Sequence, residues 1–404
     1  MPTFEEARKI ILENVVPLGA EKVETLEALG RVLAEDIIAP WDMPLWDNTA
    51  MDGYAVRSDD CRESAILQLA GFLPAGGNMT ETVQRGTVVK ILTGAPIPPG
   101  ADAVVPFEEA DEADGYVAIR VPVKRGDHIR FKGEDVKTGE TILPAGTVLR
   151  PSEISMLASF GKLFVPVHRR VRVAVLSTGD ELLEPGEPLA PGKIINSNSL
   201  ALAAAVRQTG AIAVMLGIAR DNKESLREKL LEGLKADVLI TSAGVSAGDR
   251  DYVRDVLDEL QVKQVFWKVD IKPGRPTAFA MMDGKPVFSL PGNPVSSLLT
   301  FEEFVRPALL KMMGHQRVLR PLITATLRED IRKKPNRVNF IRVALERENG
   351  EYFARSAGKQ DTGYLKTLLL ADGIAVIPTE KGDLKAGEQV DVQLIAGDGG
   401  LMEA

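Results

Sequence analysis

The stretch Asp237-Val-Leu-Ile-Thr-Ser-Ala-Gly-Val-Ser-Ala-Gly-Asp-Arg-Asp-Tyr-Val253 reads as a buried strand, a loop of small residues and a helix. Val238, Leu239 and Ile240 form the short unbroken apolar run of a parallel strand covered on both faces. Tyr252, Val253, Val256, Leu257 and Leu260 then recur at helical spacing. Between them Gly244, Ala247 and Gly248 let a ligand approach the backbone closely, and the free N–H groups of the helix start favour an anion. Asp249 and Asp251 would repel that anion unless a divalent cation lay between them.

The flanking sequence extends this unit into an alternating β/α domain. Val171–Leu176 is the first strand, running into Ser177-Thr-Gly-Asp-Glu181. A helix over Ser199–Gln208 stops at Gly210, Ala213–Ile218 is a strand, and Asp221 is expected to cap a helix carrying Leu226, Leu230 and Leu234 inward. Val265–Lys272 and Ala278–Met282 frame Lys272-Pro-Gly-Arg-Pro276. Pro286–Leu290 leads into Pro291-Gly-Asn-Pro294, where Asn293 caps and Pro294 starts a helix to Met313. These loops are expected at the carboxyl edge of a doubly wound sheet, where such sheets bind ligands.

Upstream, residues 3–16 carry a capping box, Thr3 with Glu6, and an apolar face of Phe4, Ala7, Ile11 and Val15. A second short helix is expected around Leu26–Glu35. Pro40–Arg57 is too rich in Pro, Asn, Asp and aromatic residues for a regular element; it reads equally as a functional loop or as a packed connection whose Asp47 and Asp52 cap turns. Residues 65–150 hold short β-type runs separated by turn signals, which suggests a β-rich domain inserted into an extended first domain that resumes with a helix over Pro151–Gly161. Residues 318–396 return to β patterning, with a hairpin signal at Asn349-Gly350 and a short helix as an alternative at Leu365–Leu370. A small antiparallel barrel is expected there.

Composition limits the function. The 404 residues carry 49 Lys and Arg against 57 Asp and Glu, a formal charge of −8, which argues against non-specific binding to nucleic acid or an anionic membrane. One cysteine, Cys61, excludes an internal disulfide. Three scattered histidines make a Cys/His zinc site improbable, so a bound metal would take oxygen ligands. The first residues have no secretory pattern and no apolar run reaches the length of a membrane span, which gives the expectation of a cytoplasmic protein.

Six motifs carry a resemblance over essentially the full chain: Asp47–Ala55, Gly133–Lys137, Ser177–Leu182, Gly244–Asp251, Lys272–Pro276 and Leu290–Ser296. Together and in this order they resemble the MoeA and gephyrin E-domain family of molybdopterin molybdenumtransferases. The resemblance implies a multidomain α/β and β protein: a MoaB/MogA-like doubly wound domain (171–316), an inserted β-rich domain (46–145), an extended N-terminal domain (1–45 with 146–170) and a C-terminal β-barrel (317–404). It further implies an elongated homodimer that takes adenylylated molybdopterin and molybdate, cleaves the adenylate with Mg²⁺ and releases molybdenum cofactor and AMP, with the site shared between subunits. The adenylyltransferase of the same pathway is an expected partner.

On that resemblance Asp52, Asp135, Asp251 and Glu181 are the expected catalytic acids, with Asp251 and Glu181 holding the metal. Thr93, Gly244, Ser246, Gly248, Lys272, Arg275, Pro291, Asn293 and Pro294 would bind substrate, with Lys268 as a further cation. From the residues alone Asp249 reads as a helix N-cap, and Asp135 reads first as a turn-former that only the family match turns into an acid. Ala243 stands where the family usually has glycine, and Arg275 where it often has lysine. Gly358–Lys366 matches the family poorly, so no site residue is carried over from it. Two other function classes fit parts of the pattern: a nucleotide-pyrophosphate-cleaving enzyme built on a related fold, and a gephyrin-like scaffold without catalysis. Molybdate and tungstate share charge and shape, and the sequence does not separate them.

Overall fold

A computed structural model describes residues 1–77, 82–244, 252–333 and 336–395. The chain forms two compact units: residues 1–34, 146–150 and 164–395 (apart from 245–251 and 334–335) make one, and residues 35–145 with 151–163 (apart from 78–81) make the other.

The larger unit is built on a six-stranded sheet in the order Ile212–Ala219, Arg172–Thr178, Val238–Ser242, Lys285–Leu290, Ala278–Met282 and Lys263–Phe266. The first four strands are parallel, and Ala278–Met282 is antiparallel to both of its neighbours, so that Lys263–Phe266 again runs with the first four. The sheet is therefore mixed, and the Lys272–Pro276 turn enters an antiparallel strand rather than leaving a parallel one. It still reaches the same edge, because Ala278 pairs with Ser289 near the carboxyl end of its neighbour.

Both faces of the sheet are covered. Val173, Val175, Val238, Ile240, Phe288 and Leu290 belong to one core, with the N-terminal helix and the helices after Asn293, whereas Ala174, Leu176, Leu239 and Val287 belong to a second core under Leu226, Leu230, Val256 and Leu257. Successive residues of a strand point to opposite faces, so two covered faces require the continuous apolar runs that the sequence shows.

The N-terminal helix, Phe4–Asn14, has the expected capping box, and Phe4 meets Phe304 and Phe340 edge to face, with centroids 5.8 and 5.0 Å apart. Phe340 comes from the last domain, where Val338–Glu348, Glu351–Ser356, Leu322–Leu327, Gln389–Leu394 and Gly373–Ile377 pair in that order and close through the first and last strands. The expected barrel is thus present, but it is not wholly antiparallel: Leu322–Leu327 pairs parallel with Glu351–Ser356, and the other pairs that close it are antiparallel. Its Asn349-Gly350 hairpin has positive φ at both positions. The segment at 365–370 is a short helix, Lys366–Leu369.

The smaller unit holds a second six-stranded sheet, with Gly53–Val56 paired between Ala103–Pro106 and Thr87–Ile91. No helix among the described residues is long and apolar enough to cross a membrane.

Several local expectations are corrected. Leu26–Glu35 yields only a 3-10 turn at Leu26–Ala28, because the following residues are used in bridges: Val32 to Val148 and Leu33 to Val167. Pro40–Arg57, expected to be irregular, ends in the fully buried strand Gly53–Val56, which its short apolar content concealed. Asn222, not Asp221, caps the helix Lys223–Gly233, accepting from the Ser225 amide; the Asp221 carboxylate instead accepts from the Asp180 amide, and the Asp221 amide donates to the Asp180 carboxylate. Val265–Lys272 is not one strand: Lys263–Phe266 stays in the α/β sheet while Ile271–Lys272 pairs with the barrel strand at Val338–Asn339. The helix after Asn293 is broken by a π turn at Phe301–Val305, just before Pro307, whose missing N–H cannot continue the regular ladder.

That turn carries Glu303, buried at 3% exposure and held by the Gln393 side chain at 3.2 Å. Burial, the largest cause, pushes its carboxyl up to about 7. A carboxyl raised on folding binds its proton more tightly in the native state, so stability is greatest below the unfolded value near 4.5 and falls as pH rises toward 7. Glu303→Gln should therefore stabilise the protein at pH 8, by at most about 3 kcal/mol, and have little effect at pH 4. Urea unfolding at the two pH values measures the difference.

Candidate functional site

Strand order puts a topological switch point between Arg172–Thr178 and Val238–Ser242, since the chain winds from the first strand to Ile212–Ala219 on one side and then to Val238–Ser242 on the other. A cavity of about 440 Å³ opens there, lined by Thr178, Glu181, Asn196, Gly244, Asn293 and Pro294 among others. Its floor is fixed by side-chain hydrogen bonds: Ser177 Oγ donates to Asn196 Oδ1 at 3.0 Å, and Asn198 Nδ2 donates to Ser242 Oγ and to the Gly292 carbonyl at 2.9 and 2.8 Å. Asn196 is 2% exposed, and its Nδ2 finds no acceptor among the described residues, which leaves a buried donor on the cavity wall. An unsatisfied buried amide costs about 1–3 kcal/mol, so it is a position that a ligand acceptor would relieve.

Two backbone positions shape the same wall. Gly244 has φ +77°, and a Cβ there would fall 2.3 Å from Val253 Cγ2, so only glycine fits. Ala243 holds φ 76°, a left-handed conformation that costs an L-residue roughly 1–2 kcal/mol, at the position where the family pattern has glycine. The Glu181 carboxylate lies over Gly179, is exposed and has no ion-pair partner among the described residues.

A second and larger cavity, about 720 Å³, shares Pro276, Pro291 and Asn293 with the first and runs between the Lys272–Pro276 turn and the barrel. The turn is rigid. Gly274, at φ +101°, lies so close to Thr300 that a Cβ would come within 2.4 Å of its methyl, and Thr277 Oγ1 donates to the Gly274 carbonyl at 2.6 Å. Lys272, Arg275 and Arg337 line this cavity without an ion-pair partner among the described residues, and Arg332 and Lys333 add to them. The lining acids are engaged elsewhere: Asp330 with Lys385 and the Ala386 amide, and Asp361 with the Gly363 amide. The cavity is thus a cationic pocket on an acidic protein, suited to an anion.

Of the expected site residues, Glu181, Gly244, Pro291, Asn293 and Pro294 meet on the first cavity, while Lys272, Arg275, Pro291 and Asn293 meet on the second. Lys268 lines neither. Asn293 occupies the N-cap position but makes no side-chain capping bond, leaving its amide to both cavities. Asp251, Ser246, Gly248 and the candidate cap Asp249 lie outside the described residues.

Asp52 and Thr93 belong to the smaller unit and are joined: Asp52 Oδ1 accepts from both the amide and the hydroxyl of Thr93 at 2.7 Å. These bonds, the backbone one first, hold the Asp52 carboxyl below its ordinary range. The following Gly53 is obligatory, as a Cβ would sit 2.0 Å from the Val105 carbonyl oxygen. Asp135 is exposed, and no hydrogen bond or ion pair joins it to Asp52 among the described residues.

Family models match the chain from end to end: one described as MoeA N-terminal region (domain I and II) at residues 2–161, one as probable molybdopterin binding domain at 174–311, and one as MoeA C-terminal region (domain IV) at 324–395. The Mycobacterium tuberculosis protein named molybdopterin molybdenumtransferase 2 is 38% identical over 403 residues, covering 97% of this chain and 99% of its own. The chain belongs to the MoeA family. The Haemophilus influenzae molybdopterin molybdenumtransferase is 37% identical over 399 residues, covering 97% and 98%. The crystal structure of the molybdopterin biosynthesis MoeA protein from Pyrococcus horikoshii OT3 superposes with a TM-score of 0.83 at 34% identity, covering 98% of this chain and 100% of that one.

Within this MoeA chain the sequence reading missed the barrel's contribution. Arg332, Arg337, Ser356, Gln360 and Thr362 line the cationic cavity, although Gly358–Lys366 departs from the family pattern. The signal that could have found them is Arg342, an arginine inside an apolar strand. It is fully buried, its Nε donates to Thr367 Oγ1 at 2.7 Å and its Nη2 to the carbonyls of Lys359 and Asp361, while Gln360 bonds its backbone on both sides. Arg342 therefore fixes the loop that forms one wall of the cavity. Arg342→Gln should cost about 3 kcal/mol or more in chemical unfolding and raise hydrogen exchange selectively across residues 358–367.

Proposed function

We propose that this chain inserts molybdenum from molybdate into adenylylated molybdopterin, releasing AMP in a Mg²⁺-assisted step, as a transferase of molybdenum cofactor biosynthesis. The observation that carries the reading is that two unlike cavities adjoin, sharing Pro276, Pro291 and Asn293 in their linings. The switch-point cavity offers hydrogen-bonding groups, including the unpartnered Asn196 amide, for the heterocyclic body of the substrate. The neighbouring cavity offers Lys272, Arg275 and Arg337 for the anions, molybdate and phosphate.

Glu181 and Asp251 would hold the metal. The Glu181 carboxylate is a hard oxygen donor at the rim of the cavity with no cation satisfying it among the described residues, which fits Mg²⁺. When bound, the ion offsets the negative charge that builds on the adenylate phosphate as AMP leaves. Lys272 and Arg275 orient the anions on a turn that cannot rearrange, so little conformational freedom is lost on binding. The single, buried Cys61 agrees with a reducing cytoplasm. The four-domain division read from the sequence is part of this proposal, as is the adenylyltransferase of the pathway as the source of substrate.

The test is AMP release from adenylylated molybdopterin with and without molybdate and Mg²⁺. Release that needs neither would overturn the reading. Arg275→Ala should weaken substrate binding by roughly ten- to a hundredfold, since a charge-assisted contact contributes about 1.5–3 kcal/mol; calorimetry measures it.

The expected acids fall in different compact units, Asp52 and Asp135 in one and Glu181 in the other. This division supports a twofold dimer in which each site draws acids from both chains. Asp52→Ala and Asp251→Ala homodimers should then be inactive, yet co-refolding equal amounts should restore about a quarter of the parent AMP release. Random pairing makes half the dimers mixed, and each mixed dimer has one intact site of two. No recovery from a mixture shown to have exchanged subunits would reject the shared site.

A further inference from the structure

The opposite edge of the α/β sheet holds a separate cavity of about 420 Å³. Its walls come from residues just before the strands that begin at Arg172 and Ile212, namely His168 and Arg170 and the end of the helix Ser197–Gln208 with Thr209 and Gly210, from the π turn and helix at Phe301–Met312, and from the Leu29–Val32 segment. The strand Arg172–Thr178 spans seven residues, so this cavity lies about 20 Å from the switch-point cavity.

Five arginines line it, Arg31, Arg170, Arg207, Arg306 and Arg320, against one carboxylate, Glu302. Glu302 is shared by Arg306 at 3.4 Å and Arg320 at 2.6 Å. Arg31 is held by Glu21 and by the His168 carbonyl, to which its Nη2 donates at 2.7 Å. Arg170 and Arg207 have no ion-pair partner among the described residues and are exposed at the mouth.

His168 and His315 complete the lining. His168 is fixed, with Nδ1 3.0 Å from the Leu18 carbonyl, and its ring packs against Gly314, where a Cβ would fall 2.1 Å from Cδ2. The positive potential is felt inside the cavity: burial first, then the charge of Arg306 and of His168, hold the His315 imidazole below its usual range. Phe301, Leu310 and Met313 give the lining an apolar side.

We infer that this cavity is a binding site for a small phosphate monoester, separate from the transferase site. Guanidinium groups match a phosphate dianion, which can accept planar bidentate pairs from more than one arginine, and Arg170 and Arg207 line the cavity without an ion-pair partner among the described residues; a volume in the range of small-molecule sites leaves room beside the phosphate for an organic body against the apolar wall. The acidic chain as a whole, at −8, makes this excess of cations a local feature rather than part of a general basic surface.

The chain has three histidines, two of them in this cavity, while His128 lies in the other compact unit and serves as an internal control. The full chain, labelled with ¹³C-histidine, is titrated with ribose 5-phosphate and in parallel with inorganic phosphate. Saturable shifts of the His168 and His315 imidazole signals are expected, with His128 unmoved and inorganic phosphate binding more weakly. The double substitution Arg170→Glu and Arg207→Glu should weaken binding at least about tenfold without changing the unfolding temperature, and the milder Arg207→Gln should act in the same direction. Arg275→Ala, which alters the other cationic cavity, should leave the titration unchanged. Absence of shifts at His168 and His315, shifts that survive the arginine substitutions, shifts that vanish with Arg275→Ala, or equal affinity for the two probes would overturn the inference.

Discussion

The parallel pairing of Arg172–Thr178 with Val238–Ser242, both covered on two faces, is the constraint from which the larger unit follows. With Val173 and Val175 committed to one core and Ala174 and Leu176 to the other, the strand cannot slip by one residue without exchanging its two cores. The register Val173 to Val238 is thereby fixed, and with it the ends of both strands. Ser177, Thr178, Ser242 and Gly244 arrive together at the carboxyl edge because the apolar residues before them leave no other solution.

Charge is then distributed against that frame. The chain is acidic, yet the turn at Lys272–Pro276 and the barrel residues Arg332 and Arg337 concentrate positive charge on one cavity, and five arginines concentrate it on another at the far edge of the sheet. In the first the acids that could neutralise the lining, Asp330 and Asp361, are used in other bonds, and in the second the one lining acid, Glu302, is shared by Arg306 and Arg320 and leaves Arg170 and Arg207 without an ion-pair partner among the described residues. An anion site on an acidic protein depends on such diversion of its carboxylates as much as on the cations themselves. Buried Arg342 performs a related task, spending its guanidinium on the Lys359 and Asp361 carbonyls and so shaping a wall instead of meeting a ligand.

Much of this was legible in the chain. Continuous apolar runs announced buried strands, Thr3 with Glu6 announced a capped helix, and Asn349-Gly350 announced a hairpin, since each depends on residues within a few positions of one another. The motifs from Ser177 to Ser296 named the loops of one sheet edge, and the structure gathers the described ones on two adjoining cavities. Readings failed where a distant partner decided the outcome: Gly53–Val56 is a strand because two other strands close on it, and Ile271–Lys272 leaves its expected strand because the barrel offers it a pairing.

The sequence by itself determined the order of most elements, the sheet edge to which the motif loops run, and the kinds of group that loops bring there, because local periodicity and turn chemistry act over short separations. Tertiary structure alone decided that Arg337, Gln360 and Thr362 stand beside Lys272 and Arg275, and that Arg170 and Arg207 stand beside His315. Those neighbours lie tens to more than a hundred residues apart, and nothing in a local pattern records which surfaces a closed barrel and a doubly covered sheet will turn toward one another. Only packing brings their charges within reach, and only packing removes the competing acids.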